Sequence, residues 1–252
     1  MSGTTLRGIG HPTADPPHRD GQFANTRWTL VSALGQGDAG AERPLLELCL
    51  HNWYPVYSYL RRCGHAPEPA QELTRAFFDQ LLHDTAARAQ PSEFGRFREF
   101  LVSELQRFLA QGLSRPGPDA PLPPLDLDEM EARQRTEAAF AGSPEQALRR
   151  GFALEVIARA RDRLRGEASE AGRLAMYEAM ERYLTCDPLP GEFEQLASRF
   201  GVRPLFVVTA MKRLRERFRE LVDSALGDTV LNSGELEAER RALQDALAGA
   251  AA

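Results

Sequence analysis

The chain has 252 residues, 42% of them hydrophobic and 27% charged, with a formal net charge of -5. That composition belongs to a globular protein large enough for one large core or two small ones. It excludes a global cationic field, so any contact with nucleic acid must come from local basic patches.

Residues 1–21 form a polar stretch without an apolar signal core and read as a flexible arm. Residues 26–34 (TRWTLVSAL) predict a short helix. Residues 41–62 place Leu45, Leu48, Trp53, Val56, Tyr57 and Leu60 on one apolar face, and Pro55 must kink that helix or start a new one. Residues 67–82 repeat the pattern with Ala70, Leu73, Phe77 and Leu81. Residues 92–113 add Phe97, Phe100, Leu101, Leu105, Phe108 and Leu109. These elements predict one all-α module over 22–113.

Residues 114–142 are rich in Pro, Gly and acids and read as a flexible linker, which could span on the order of 100 Å if extended. A second all-α module is predicted over 143–233. Ser143 is its N-cap, Pro144 takes the first helical position and Gln146 suits a capping box. Its first helix should run to about residue 164 and a second over 167–184. Asp187-Pro188-Leu189-Pro190-Gly191 then breaks the chain, before helices at 192–200 and 205–226 joined by a turn at Gly201. Residues 234–252 are expected to carry a charged C-terminal helix.

Chemistry-bearing clusters are scarce. Cys49, Cys63 and Cys186 are widely spaced, odd in number and form no CxxC pair, which fits a reducing cytoplasm. The five histidines lack metal-ligand spacing, two of them lying in the arm. No phosphate-binding loop or nucleophile motif stands in context. The expectation is a cytoplasmic protein that is not an enzyme, with no cofactor, no metal and no membrane partner, since no apolar run approaches ~20 residues.

Three segments point to binding. EFEQLASRF-GVRP-LFVVTAMKRLRERF has the layout of a helix-turn-helix, with Lys212, Arg213, Arg215, Arg217 and Arg219 along its second helix. The plain alternative is an αα-hairpin with a solvated basic face. PSEFGRFREFLVSELQRFL alternates arginines with aromatics, as a surface for an unpaired strand would, or as a core stripe flanked by solvated arginines. HAPEPAQELTRAFFDQLL sets Gln71 and acids opposite Phe77 and Leu81, as an ordinary amphipathic core helix also does.

Taken in order, Thr26-Arg27-Trp28-Thr29-Leu30-Val31, Trp53 to Tyr57, Ala70 to Phe78 and Gly95 to Leu101 resemble the extracytoplasmic-function (ECF) sigma factors of bacterial RNA polymerase. The branch it is most similar to is associated with Ser/Thr-kinase control. The resemblance implies a sigma domain 2-like module over 22–113 that binds the polymerase β′ clamp helices and the −10 element. It implies a sigma domain 4-like helix-turn-helix over 143–233 that reads the −35 element, with the β flap as a further polymerase contact. The residues it singles out are Gln71, Glu72, Arg75 and Asp79 for polymerase, and Arg96, Arg98, Arg107 and Gln111 for the −10 strand. For the −35 duplex they are Arg203, Phe206, Thr209, Lys212, Arg213 and Arg217. Core RNA polymerase, promoter DNA and a Ser/Thr kinase or anti-sigma protein are the partners implied.

The chain also departs from the family. Pro69-Ala70-Gln71-Glu72 stands where the family has an Asp-Ala-Glu-Asp type motif, and Thr74 is the matching place for a compensating phosphate of about -1.5 to -2 charge. The run from Gln106 to Arg115 is poor in the cations that relatives place there. Leu205-Phe206-Val207-Val208 opens the second helix of the helix-turn-helix with apolar residues, which can touch thymine methyls but make no bidentate base contacts. These departures leave a second reading open: a sigma-like protein that has lost promoter reading and regulates through protein contacts at Leu205, Phe206 and Val208.

Overall fold

The computed structural model describes residues 26–33, 42–85, 93–111, 126–137 and 142–248, and among these every regular element is helical. The expected N-terminal arm lies outside the described residues. The first half is built from α1 (Arg27–Ala33), α2 (Glu42–His51), α3 (Trp53–Arg62), α4 (Pro67–Thr85) and α5 (Phe97–Ala110). Pro55 is accommodated by a break at Asn52, so that it falls in the first turn of α3, where its missing N–H costs no helical hydrogen bond. Asn52 itself bonds the Leu48 carbonyl at 2.8 Å and closes off α2.

The predicted apolar faces meet in one core. Trp53 stacks on Phe78 with ring centroids 5.5 Å apart, and Trp28 meets Phe97 edge-on at 5.3 Å. Burying an aromatic of this size stabilises the fold by on the order of 2–3 kcal/mol relative to leaving it in water. The Trp28 indole N–H donates to the Phe94 carbonyl at 3.1 Å, so its polar end is satisfied as well.

Two expectations are corrected. Part of the segment read as a flexible linker is a helix, α6 (Leu127–Glu137), docked on the first core. Asp126 accepts the amides of Asp128 and Glu129 and so starts it. Met130 is buried, Glu131 accepts from the Tyr57 hydroxyl at 2.5 Å and from Arg61 at 2.8 Å, and Arg133 lies 3.7 Å over the Tyr54 ring. Only one strongly apolar residue is buried here, so composition alone could not show that α6 has partners. The remaining linker residues, 114–125 and 138–141, lie outside the described set.

The helix expected to stop near residue 164 instead continues as α7 (Pro144–Glu170). Its start is as predicted: the Ser143 side chain accepts from the Gln146 amide and the Gln146 side chain accepts from the Ser143 amide. Gly166 does not end it, because a helical glycine costs only about 1 kcal/mol. The break falls at Gly172, in the left-handed region at φ 65, ahead of α8 (Leu174–Met180) and a 3-10 turn (Glu181–Leu184). At 27 residues α7 is roughly 40 Å long, and it joins the two halves. Leu148 enters the first core, Ala160 and Leu164 the second, and Phe152, Ala153 and Val156 a third cluster between them. A Cβ on Gly151 would sit 3.0 Å from the Pro55 Cα, so the backbones of α7 and α3 approach closely.

The second half is completed by α9 (Glu192–Phe200), α10 (Pro204–Gly227) and α11 (Ser233–Ala248). After α10 the chain returns to the first half. Phe97 donates to the Thr229 carbonyl at 2.9 Å and Leu231 to the Gly95 carbonyl at 3.1 Å, flanking an isolated antiparallel bridge between Arg96 and Val230. Among the described residues no helix is long and apolar enough to cross a membrane.

Candidate nucleic-acid interface

α9 ends at Gly201, whose φ of 64 is left-handed and disfavours any residue with a Cβ. The Val202 amide then reaches back to the Ala197 carbonyl at 3.0 Å. Arg203 is extended and Pro204 begins α10, a start suited to proline because the first turn needs no donor there. Leu196, Ala197, Val207 and Met211 are buried and fix the angle between α9 and α10. α9 and α10 are thus two packed helices joined by a tight glycine turn, and this unit presents Arg203, Leu205, Phe206, Val208, Thr209, Lys212 and Arg213 to solvent. Leu205 is 73% exposed, Phe206 51% and Val208 46%, which makes the first turn of α10 the most exposed apolar segment described. The Thr209 hydroxyl donates to the Leu205 carbonyl at 2.8 Å and keeps its acceptor capacity.

The five cations of α10 separate sharply. Arg215 is a structural clamp, donating to the carbonyls of Tyr183 and Cys186 at 2.9 and 2.8 Å and pairing with Asp187 at 3.0 Å. Arg219 donates to the Arg215 carbonyl. Arg217, expected on DNA, is held by Glu167 of α7 at 2.7 Å and by Glu220 at 2.8 Å, and these carboxylates push its pKa further up. Through Glu167, Arg217 ties α10 to α7, and its charge is already shared with two carboxylates. Lys212 and Arg213 are exposed and make no ion pair among the described residues.

The strip expected on the first half fares differently. Arg96, the N-cap of α5, pairs with Glu99 in its first turn, lies 2.9 Å from Glu235 of α11, and stands 3.9 Å from Glu239. Arg98 is 8% exposed and donates twice to Glu239, at 3.3 and 2.9 Å, with Glu239 itself 1% exposed. In this arrangement both guanidiniums already face carboxylates of the C-terminal helix, Arg98 buried and Arg96 partly exposed. Arg107 is exposed but paired with Glu104, and Gln111 is exposed at the end of α5.

Of the four residues assigned to polymerase, Glu72 faces solvent while Gln71, Arg75 and Asp79 are half-buried on α4. Thr74 is fully buried and donates to the Ala70 carbonyl at 2.7 Å. A kinase could not reach that hydroxyl without local opening of α4, so Thr74 is corrected from a modification site to a core residue.

The chain matches no family model, no curated protein and no solved structure.

Sequence reasoning missed Glu235 and Glu239. The readable signal was that Glu239 interrupts the apolar stripe Leu236, Leu243, Leu247 at the i+3 place, where a carboxylate needs a buried partner. It also missed a polar junction between the halves. Arg159 of α7 donates to the His51 Nδ1 at 3.0 Å, and Arg27 pairs with both Glu47 and Asp228. An arginine only donates, so Nδ1 of His51 must carry the lone pair. Burial first, and then the Arg159 and Arg27 charges, lower its pKa to about 4. Among the described residues no cluster of three or more His, Cys, Asp and Glu side chains could hold a metal ion. α10 offers point charges at Lys212 and Arg213 and apolar surface at its first turn.

Proposed function

We propose that the chain is an ECF-sigma-like subunit of bacterial RNA polymerase that directs transcription to a promoter by binding and strand separation. The observation that carries this reading is the helix-turn-helix of α9 and α10. There Lys212 and Arg213, solvent-facing and without an ion pair among the described residues, stand with Thr209 on the helix that would enter a major groove, with Arg203 just ahead of it. The ordered succession of sequence motifs in the first half supports it, and Glu72 on α4 is exposed and so available to polymerase. Arginine and lysine at these places position a duplex through its phosphates.

A second reading has its own observation. Leu205, Phe206 and Val208 expose apolar surface where base-reading side chains would sit. Beside them lies a groove of about 610 Å³ floored by Leu164, Met176 and Met180. This favours a sigma-like regulator that binds protein there. Reconstitution of the full chain with core RNA polymerase separates the two, with a random promoter library as probe. Retention and transcription of a discrete sequence is the expected result. Polymerase binding without sequence selection would favour the regulator, and no polymerase binding would remove the sigma reading.

A further inference from the structure

The deepest residue of α11 is a carboxylate. Glu239 is 1% exposed, while Leu243 is 9% exposed and Leu236, Ala246 and Leu247 remain half-exposed. A helix docked for packing alone would bury leucine at that register; α11 buries glutamate on guanidinium. The backbone helps set the alignment, since residues 229–231 pair with 95–97 and bring Glu235 to Arg96 and Glu239 to Arg98.

Carboxylate and phosphate make the same charge-assisted, fork-shaped contacts to arginine. We propose that α11 is an internal clasp whose Glu235 and Glu239 hold Arg96 and Arg98 in place of a nucleic-acid backbone, so that this face takes up a single strand only when α11 lifts. The inference rests on the reading of the first half as a nucleic-acid surface.

Two features make the clasp releasable. The buried pair contributes little net free energy, because desolvating both charges offsets most of their attraction, and the apolar anchor of α11 is thin. The junction is also unsealed. A cleft of about 470 Å³ runs beside it, lined by Arg96, Arg98, Arg149 and Arg150 from α5 and α7 and by Ala242 and Asp245 from α11. Arg149 is exposed at its edge, where an incoming polyanion can make a first contact before displacing the glutamates.

The test locks the clasp without emptying the buried pair. A Cβ on Gly95 would lie 3.2 Å from the Glu235 Cγ, which puts a Gly95→Cys/Glu235→Cys pair within disulfide reach. The full chain would carry this pair with Cys63→Ser and Cys186→Ser to prevent mispairing, and Lys212→Ala and Arg213→Ala to silence α10. Its affinity for a fluorescein-labelled single-stranded DNA oligonucleotide is read by anisotropy, oxidised and reduced, with circular dichroism checking the fold. The reduced form should bind about tenfold or more tightly than the oxidised form, as a state that must open to bind requires, and reduction of the locked sample should restore binding. In the same chain with Gly95 and Glu235 restored, the oligonucleotide should speed hydrogen exchange of the Phe97 and Leu231 amides that bridge the junction. Equal binding by the oxidised and reduced forms overturns the clasp and leaves the nucleic-acid reading intact. Absence of salt-dependent binding in every form overturns that reading and the clasp with it.

Discussion

Arg98 of α5 and Arg213 of α10 are the same side chain in opposite surroundings. Arg98 is buried and doubly bonded to Glu239, whereas Arg213 stands in solvent with no ion pair among the described residues. Both lie on helices whose sequence interleaves arginine with apolar residues, so local pattern does not separate them. What separates them is a third element: α11 brings two carboxylates to the start of α5, and among the described residues no carboxylate pairs with Lys212 or Arg213. A basic stretch therefore becomes an interface or a strut according to which acids the tertiary fold delivers. The contrast can be broken from either side.

The largest effect is expected from Glu239→Ala. It leaves the Arg98 guanidinium buried without its counter-ion, and removing one member of such a pair costs about 3–5 kcal/mol. Denaturant unfolding of the full chain should show the unfolding free energy falling by that amount, seen as a lower midpoint with little change in slope. Replacing both partners, as Arg98→Met/Glu239→Leu, should cost far less, because no charge is then stranded. If the single substitution proves as mild as the double one, the pair is solvated in solution and the contrast with Arg213 disappears.

How much of this was legible depends on whether a residue's partner lies nearby in sequence. The Ser143–Gln146 capping box, the start at Pro144 and the apolar faces of α3, α4 and α5 depend on neighbours within a turn or two, and the periodicity carries them. The Gly201 turn is local as well, since only φ 64 needs explaining. By contrast α6 depends on Tyr57 and Arg61, some 70 residues away, and its polar sequence reads as a linker without them. The fates of Arg96, Arg98 and Arg217 depend on Glu235, Glu239 and Glu167 in other helices, so the pattern that nominated them as DNA contacts could not show them occupied. The burial of Thr74 was open to the same periodicity that placed Leu73 and Phe77 in the core. Its hydroxyl concealed this, because back-bonding to the Ala70 carbonyl lets a threonine sit inside a helix interface.

An intermediate effect is expected from pH, acting where α2 meets α7. His51 accepts from Arg159, with the charges of Arg27 and Glu47 nearby, and its pKa is lowered to about 4 by burial and by the two arginines. An unfolded chain protonates histidine near 6.5. Between those values the unfolded state binds the extra proton, so stability is fully present above about 6.5 and is lost as the pH falls toward 4. Thermal melts across that window should show a falling midpoint. His51→Gln, whose side-chain oxygen can still accept from Arg159, should flatten the dependence. The effect should be smaller than that of Glu239→Ala, because His51 is only partly buried. An unchanged pH profile in the variant would assign the acid sensitivity to other groups.

The smallest effect on stability, and the most direct on function, belongs to Arg213. Exposed substitutions away from structural contacts usually stay within about 0.5 kcal/mol, so Arg213→Ala should melt with the parent chain. Its expected loss is in DNA binding. Removal of one phosphate contact weakens binding about equally on all sequences and lowers the slope of log affinity against log salt by about 0.9. Arg217→Ala is the matched control. It gives up the pairs with Glu167 and Glu220, exposed enough to be worth up to about 1 kcal/mol, and because Arg217 is already neutralised the salt slope should barely move. Val208→Lys should act in the opposite sense, adding a cation to the exposed first turn of α10 and steepening the slope. Fluorescence titrations of the three variants at several salt concentrations measure all of this together. If Arg217→Ala flattened the slope as much as Arg213→Ala, its carboxylates would have to release it on binding, and the division of α10 into free and committed cations would fail. If Val208→Lys gained nothing and Arg213→Ala lost nothing, α10 would not be a DNA-contacting helix at all, and its apolar first turn would be left as the surface that matters.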